Sequence, residues 1–525
     1  MSPSGASAAR PPRDPAAGAS AARRRALSPH SVVRGLLVGG AAAALVAGAA
    51  QAPDSWAARW PGVPAEVAQS RAASAALSSV DLLCPGEELT GTEGVASQSV
   101  PGQVSAAAAP DDLVRGALRG PSLPTGPGSV TIAPLGGEQA QAPLTSRGPV
   151  QTVAYRGGTP VLVSGQGPLA AGDAALQQWA VSTGTARGLA SVPCGSASPE
   201  AWLVGGGGQA GRQERLTLVN PGANPVTVDV SLLGARGLIE SPVGDGVTVP
   251  GQGRLSLLLD AISSTEASPV VHVTATGGVV RAVLTDTWLD GTRPAGVDDV
   301  APGAAPAKTV TLAGVLPGTG QTTLRVGVPG KRGAVVQARA LTREGRTALV
   351  SGGVSRVDAG ASLDIPVGTL PEGTVAVQVT SDVPVVAGAL MTRGAGSAPG
   401  ELAWSTGSAP VSGVSGAPLT APPRVSGISH SLVLATPAGQ ESSLQVVTVA
   451  GGRPTAQTVQ LPADTARTID LGSAEAVWVA PSGGSRVHAA LLTRTGTGAA
   501  EQLTVSPLVD APVRAATARV VPASD

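Results

Sequence analysis

The chain has 525 residues, among them 71 Gly, 46 Pro, one Tyr and no Phe, and its 35 basic residues balance 35 acidic ones. There is therefore no global basic field to recruit nucleic acid, and that class of partner is excluded as a first reading. A hydrophobic content of 42%, rich in Val and Leu, favours folded domains over disorder, while the excess of Arg over Lys and of Ala, Gly and Pro reflects GC-rich codons rather than function.

Residues 1–34 read as a basic, disordered cytoplasmic tail, with Arg10, Arg13, Arg23, Arg24, Arg25 and Arg34 set against Asp14 alone. Gly35–Ala52 then runs 18 residues without a charge, nearly the span of a bilayer core. The basic side stays in the cytoplasm, so everything after Ala52 is expected outside it. This segment is read as a retained transmembrane anchor, with Trp56, Arg59 and Trp60 placed as an interfacial belt. A cleaved signal ending at Ala50-Gln51-Ala52 is the alternative. Residues 53–76 form a linker.

Cys84 and Cys194 are the only cysteines. An even count in an oxidising compartment argues for one disulfide, worth about 4.7 kcal/mol on the chain-entropy model for a loop of that span. The bridge falls in a first β unit, residues 77–199, in which the Gly- and Ala-rich stretch Glu93–Ala109 is expected to be a loop.

A repeat follows. The runs Val270–Asp286, Val375–Thr392 and Val477–Thr493 place equivalent leucines at Leu284, Leu390 and Leu491, roughly a hundred residues apart. A fainter copy carries Leu176. Each later unit opens alike, with a strand, a Pro-containing turn and a strand at Glu214–Val230, Thr322–Ala338 and Ser431–Val447. Val226, Val228, Val230 and Leu232 alternate with Thr227, Asp229 and Ser231, the period of a half-buried strand. The fold class predicted is all-β: tandem immunoglobulin-like sandwiches of about seven strands each, at residues 77–199, 200–300, 308–410 and 424–513, before a disordered tail at 514–525. Ala301–Ala307, Gly394–Gly400 and Val411–Pro423 read as linkers between beads on a string. An eight-bladed propeller with two blades per unit is the runner-up architecture.

Cys84-Pro-Gly, Pro193-Cys194-Gly, Glu200-Ala-Trp202-Leu-Val-Gly-Gly and Arg215-Leu-Thr-Leu-Val-Asn220-Pro-Gly together resemble an uncharacterised actinobacterial family of exported proteins with one N-terminal membrane segment. The resemblance covers about residues 77–510 and implies, through genes for cell-wall glycosyltransferases found beside its members, a role in the envelope. It implies no catalytic residue, and Leu203 stands where an aromatic is common in the family.

Recognisable chemistry is sparse. Gly206–Gly211 matches G-x-G-x-x-G, yet the strand that follows it calls for a plain glycine loop rather than a phosphate cradle. Pro317–Gly320 lacks the lysine of a phosphate loop. His272, His430 and His488 have no nucleophile elbow to serve, and Asp286, Asp290, Asp298 and Asp299 read as a solvated turn rather than a calcium site. Trp179, Trp288, Trp404 and Trp478 are expected to fill cores, with stacking on sugars as the exposed alternative. No catalytic residue, metal or cofactor is expected. The predicted function is a non-catalytic envelope scaffold or interaction module tethered to the cytoplasmic membrane by its N-terminal helix, meeting other envelope proteins or wall glycan; the alternative is a cell-wall polysaccharide-binding protein.

Overall fold

In a computed structural model, residues 74–516 are described apart from 87–99, 119, 140, 350, 352 and 395–397. The expected anchor Gly35–Ala52, the tail before it, residues 53–73 of the expected linker and residues 517–525 lie outside the described residues, whereas Ser74–Ala76, expected as linker, and Arg514–Ala516, expected as disordered tail, pair as a short antiparallel ribbon. Among the described residues no helix is long and apolar enough to cross a membrane.

Four units repeat one plan. Unit 1 contains β1 (Ser79–Cys84), β2 (Pro101–Ala108), α1 (Asp111–Leu118), β3 (Ser129–Pro134), β4 (Val150–Arg156), β5 (Val161–Gln166), β6 (Asp173–Val181) and β7 (Gly188–Pro193). Unit 2 contains β8 (Glu200–Val204), β9 (Arg212–Asn220), β10 (Val226–Gly234), β11 (Gly253–Leu258), β12 (Val270–Thr276), β13 (Arg281–Asp290) and β14 (Arg293–Val300). Unit 3 contains β15 (Ala307–Ala313), β16 (Thr322–Gly327), β17 (Ala334–Thr342), β18 (Ser362–Gly368), β19 (Ala376–Arg393) and β20 (Glu401–Thr406). Unit 4 contains β21 (Ser415–Pro418), β22 (Ser429–Ala435), β23 (Ser442–Ala450), β24 (Ala466–Asp470), β25 (Ala476–Pro481), β26 (His488–Thr495) and β27 (Gln502–Pro507).

Each unit folds into two antiparallel sheets. An outer sheet has the order β1-β5-β3, β8-β12-β10, β15-β19-β17 or β21-β25-β23; an inner sheet has the order β4-β2-β6-β7, β11-β9-β13-β14, β18-β16-β19-β20 or β24-β22-β26-β27. The 18-residue β19 serves both sheets of unit 3, pairing with β15 and β17 through its first half and with β16 and β20 through its second. Leu176, Leu284, Leu390 and Leu491 all fall on the same inner-sheet strand of their units, as the repeat requires. In β10 the valines at 226, 228 and 230 are buried and Thr227 and Asp229 exposed, as the alternation predicts.

Two packed sheets per unit agree with a sandwich, but the connectivity is not the immunoglobulin one, in which the first two strands share a sheet. Here the strands named above alternate between sheets until the last two, and the additional strands Gly237–Ile239, Val247–Val249, Gly345–Ala348, Val354–Val357 and Arg453–Leu461 extend the outer sheets at β10, β17 and β23. Nor are the units beads on a string. The described residues form one compact body, because each unit's apolar core takes in its neighbour: Leu390, Leu402 and Trp404 of unit 3 join the core of unit 2, and Val433, Leu492 and Val505 of unit 4 join that of unit 3. Ala107 and Ala174 of unit 1 pack with Val447, Val449 and Trp478 of unit 4, and Val192 of unit 1 with Val283 of unit 2. The inner edge strands β7, β14, β20 and β27 each contact two of the others and close a ring. The closure resembles the propeller alternative, while the strand order is that of interleaved sandwiches.

Three segments read as loop or linker are built into this ring. β2 lies within Glu93–Ala109 and is buried over Gly102–Ala108, because a strand covered on both faces can hold little besides Val, Ser and Ala. Ala307 opens β15, and Val411–Pro423 carries β21. Gly416 on β21 is dictated by space: a β-carbon there would come within 2.1 Å of the Trp478 ring. Small residues in these segments mark close packing between neighbours, not flexibility.

Candidate functional site

Three of the four acids expected on a solvated turn, Asp286, Asp298 and Asp299, are buried where the units meet. Val297-Asp298-Asp299-Val300 runs along β14, and adjacent strand residues face opposite ways, so one of the two acids must point inward; both prove buried. Asp298 accepts hydrogen bonds from the Trp404 backbone N–H of unit 3 (2.7 Å) and from the Thr504 hydroxyl of unit 4 (2.8 Å). Asp299 accepts from the Trp179 indole N–H of unit 1 (2.8 Å) and from Thr285 (2.6 Å). One dipeptide of unit 2 thus reaches the other three units. Asp286 is buried beside it and accepts from Arg212 through two nitrogens (2.9 and 2.5 Å) and from the Trp404 indole (2.7 Å). Of the expected cluster only Asp290 is exposed, paired with Arg293 at 2.7 Å.

Arginines complete the joints. Arg187 of unit 1 donates to the carbonyls of Gly400 (2.8 Å) and Ala500 (2.9 Å) in units 3 and 4. Arg325 of unit 3 is buried against unit 2, where it donates to the carbonyls of Gly205, Gly206 and Pro269 and keeps an ion pair with Asp364 at 2.7 Å. The glycine run Gly206–Gly211 is therefore a clamped loop: Arg325 holds the Gly206 carbonyl from one side, and the Gly207 N–H donates to Glu214 at 2.7 Å from the other. No sequence motif announces these arginines, although the paired acids inside an apolar strand were a readable sign of buried polarity.

Burial governs the protonation of this network. It pushes Asp298 and Glu401 well above the usual carboxylate range and Asp299 up with them. Glu214 is pushed up to about 8 by burial and then by neighbouring Asp286. Arg281, buried without a carboxylate partner and donating to the Pro193 carbonyl at 2.7 Å, is lowered to about 10 by burial.

The three described histidines lie apart, each held by its own neighbours. His272 stacks on Trp202 with ring centroids 3.8 Å apart and bonds Glu200 at 2.8 Å. His430 is buried against the Thr493 hydroxyl at 3.1 Å. His488 is buried with Nδ1 on the Ser408 carbonyl at 3.0 Å; since a carbonyl only accepts, Nδ1 carries the proton of the neutral ring. Burial lowers both His430 and His488 to about 4.

His488 lies in the wall of a cavity of about 460 Å³ where units 2, 3 and 4 meet, with Trp202, Val204, Val386 and Gln440. The supposed linker residues Gly303, Ala304 and Ala305 form another wall, pinned by bonds from Gly303 N–H to the Trp202 carbonyl and from Ala304 N–H to the Gly407 carbonyl, both 2.8 Å. The cavity has the size of a small-molecule site, and its lining is mostly apolar, with Thr309, Ser408, Gln440 and His488 as its polar side chains.

Trp179, Trp404 and Trp478 are buried and fill cores, so they present no face to a glycan; Trp288 is half-buried. Cys84 and Cys194 form the expected disulfide, with Cα atoms 4.5 Å apart, inside the core of unit 1. Among the described residues no group of three or more His, Cys, Asp or Glu is arranged to hold a metal ion.

Residues 150–472 match the model of a family described as of unknown function (DUF5719), and the chain belongs to that family. The match runs from β4 of unit 1 into unit 4 and takes in the Asp298–Asp299 joint. No curated protein and no solved structure matches the chain.

Proposed function

We propose that the chain is a non-catalytic scaffold or interaction module of the cell envelope, tethered outside the cytoplasmic membrane by Gly35–Ala52. The observation that carries this reading is the use made of its buried polar groups. Catalytic sites gather perturbed acids and bases at a cleft where a substrate can reach them. Here Asp286, Asp298 and Asp299 spend their oxygens on donors from Arg212, Trp404, Thr504, Trp179 and Thr285, and so hold four units in fixed relation. Rigid presentation of surface is what such a body offers a partner.

The Cys84–Cys194 bridge supports an oxidising, extracytoplasmic setting. A two-stranded ribbon of Ser74–Ala76 with Arg514–Ala516 brings the two ends of the described body together.

Crosslinking in living cells from surface positions on all four units, with mass spectrometry of the adducts and of the N-terminal peptide, tests the reading. Recovery of other envelope proteins, together with an uncut peptide spanning Ala52 and Pro53, is the expected result. Turnover of a wall polymer by the purified chain would overturn the non-catalytic assignment, and a mature chain beginning near Pro53 would overturn the tether.

A further inference from the structure

A second cavity, about 290 Å³ in volume, lies at the seam of units 2 and 3 and is lined chiefly by polar groups. Trp288 of β13 and Arg293 of β14 form one side; Thr323 of β16 and Arg393 of β19 form the other, with Gln321 at the approach and Arg212 beneath. Its volume sits at the lower edge of small-molecule sites, enough for about ten waters or one sugar-sized ring.

Two observations single out Trp288. Its indole N–H is buried and has no hydrogen-bond partner, a condition it shares with Trp478 and not with Trp179 or Trp404, but of the two unpartnered rings only Trp288 lines this cavity. The register of β13 against β14 also shifts between Trp288 and Leu289, a bulge of the kind that re-aims a side chain. The Arg212 guanidinium sits 5.6 Å from the Trp288 ring centroid, which fixes the ring from one direction.

Charge bookkeeping selects the ligand class. Each lining guanidinium is already matched to a carboxylate: Arg212 to Asp286 at 2.5 Å, Arg293 to Asp290 at 2.7 Å and Arg393 to Glu501 at 3.0 Å. A phosphate or carboxylate ligand would have to compete with those partners. A neutral polyol would not, because it can place hydroxyls against the amide of Gln321 and the hydroxyl of Thr323 and its C–H face against the aromatic ring. We infer that this seam cavity is a binding site for a single neutral sugar residue, with Trp288 as its platform and Gln321 and Thr323 as hydroxyl partners. The inference stands apart from the scaffold reading, which is tested by crosslinking and survives its failure.

The test uses the intact disulfide-bonded chain and the methyl glycosides of glucose, galactose, mannose, arabinose and N-acetylglucosamine, read by saturation-transfer NMR, with inorganic phosphate as the contrasting probe. At least one glycoside should bind saturably. Trp288→Ala should weaken that binding at least tenfold, and Gln321→Ala, at an exposed position, about threefold with an unchanged Tm. If Trp288→Ala fails to fold, Gln321→Ala decides alone. Absence of saturable binding by every glycoside, preferential binding of phosphate, or glycoside binding untouched by Gln321→Ala would each overturn the assignment.

Discussion

Units 1 and 3 share a strand plan and solve its stability problem differently. The central inner strand of unit 3, β16, contributes Leu324 and Val326, both fully buried, to an extended apolar core reinforced by the continuous β19. The equivalent strand of unit 1, β2, offers Val104, Ala106 and Ala108 to a core that also contains the disulfide. Its other face, with Ala107, lies against Val449 and Trp478 of unit 4. Unit 1 thus has less apolar volume of its own, and the Cys84–Cys194 bridge and a neighbour's tryptophan make up the difference. One architecture can be held by side-chain volume or by covalent closure.

Removing the staple should break the comparison most. Cys84→Ser with Cys194→Ser is expected to cost about 2–5 kcal/mol, read as a lower urea midpoint. Hydrogen exchange should show β2 and β5 losing protection before β16 and β19. Equal loss in the two units would mean that the bridge stabilises the ring as a whole and that unit 1 is not the weaker part.

Truncations in the cores come next. Leu324→Ala should cost about 3 kcal/mol, within the 2–5 kcal/mol range for buried leucine. Val104→Ala removes two methyl equivalents and should cost about 2 kcal/mol. The contrast sharpens if Val104→Ala is measured again without the disulfide: its cost should then stay the same in kcal/mol while the protein crosses into partial unfolding at 37 °C. A Val104→Ala cost as large as that of Leu324→Ala would show that unit 1 relies on side-chain volume after all.

The same contrast explains what was legible in the sequence. Alternation in Val226–Leu232 and the recurrence of Leu284, Leu390 and Leu491 identify sandwich strands, because large β-branched and leucine side chains report a buried face directly. β2 is hidden because a strand buried on both faces between sheets needs small side chains, and Gly-Gln-Val-Ser-Ala-Ala-Ala reads compositionally as a loop. β21 is hidden for the same reason, with Gly416 making room for Trp478. The cysteine pairing is legible from the count of two and the expectation of an oxidising compartment. Asp298 and Asp299 were assigned to solvent because local spacing reveals nothing of Trp179, Thr504 and the Trp404 backbone, which lie in three other units and meet them only once the ring closes.

The buried acid network belongs to no single unit, and pH should separate it from the unit-by-unit contrast. Asp298, Asp299 and Glu401 are raised by burial, and Glu214 from 4.5 to about 8. A carboxyl whose pKa is higher in the folded state binds its proton more tightly there, so stability is greatest below the unfolded value and declines as pH climbs toward the folded one. His430 and His488 act oppositely: lowered from 6.5 to about 4 by burial, they cost stability as pH falls through that window. Well above pH 6.5 the two histidines are neutral in both states and the acids alone set the slope, so the unfolding free energy, read from urea titrations, should fall between about pH 7 and 8 by up to about 1.4 kcal/mol per pH unit for each proton held only by the folded chain. Asp298→Asn cannot ionise and should flatten that decline. Because Asp298 ties three units, the exchange protection lost on raising the pH should spread over β7, β14, β20 and β27 together; loss confined to β14 would mean that the acids stabilise unit 2 and leave the ring to its apolar seams.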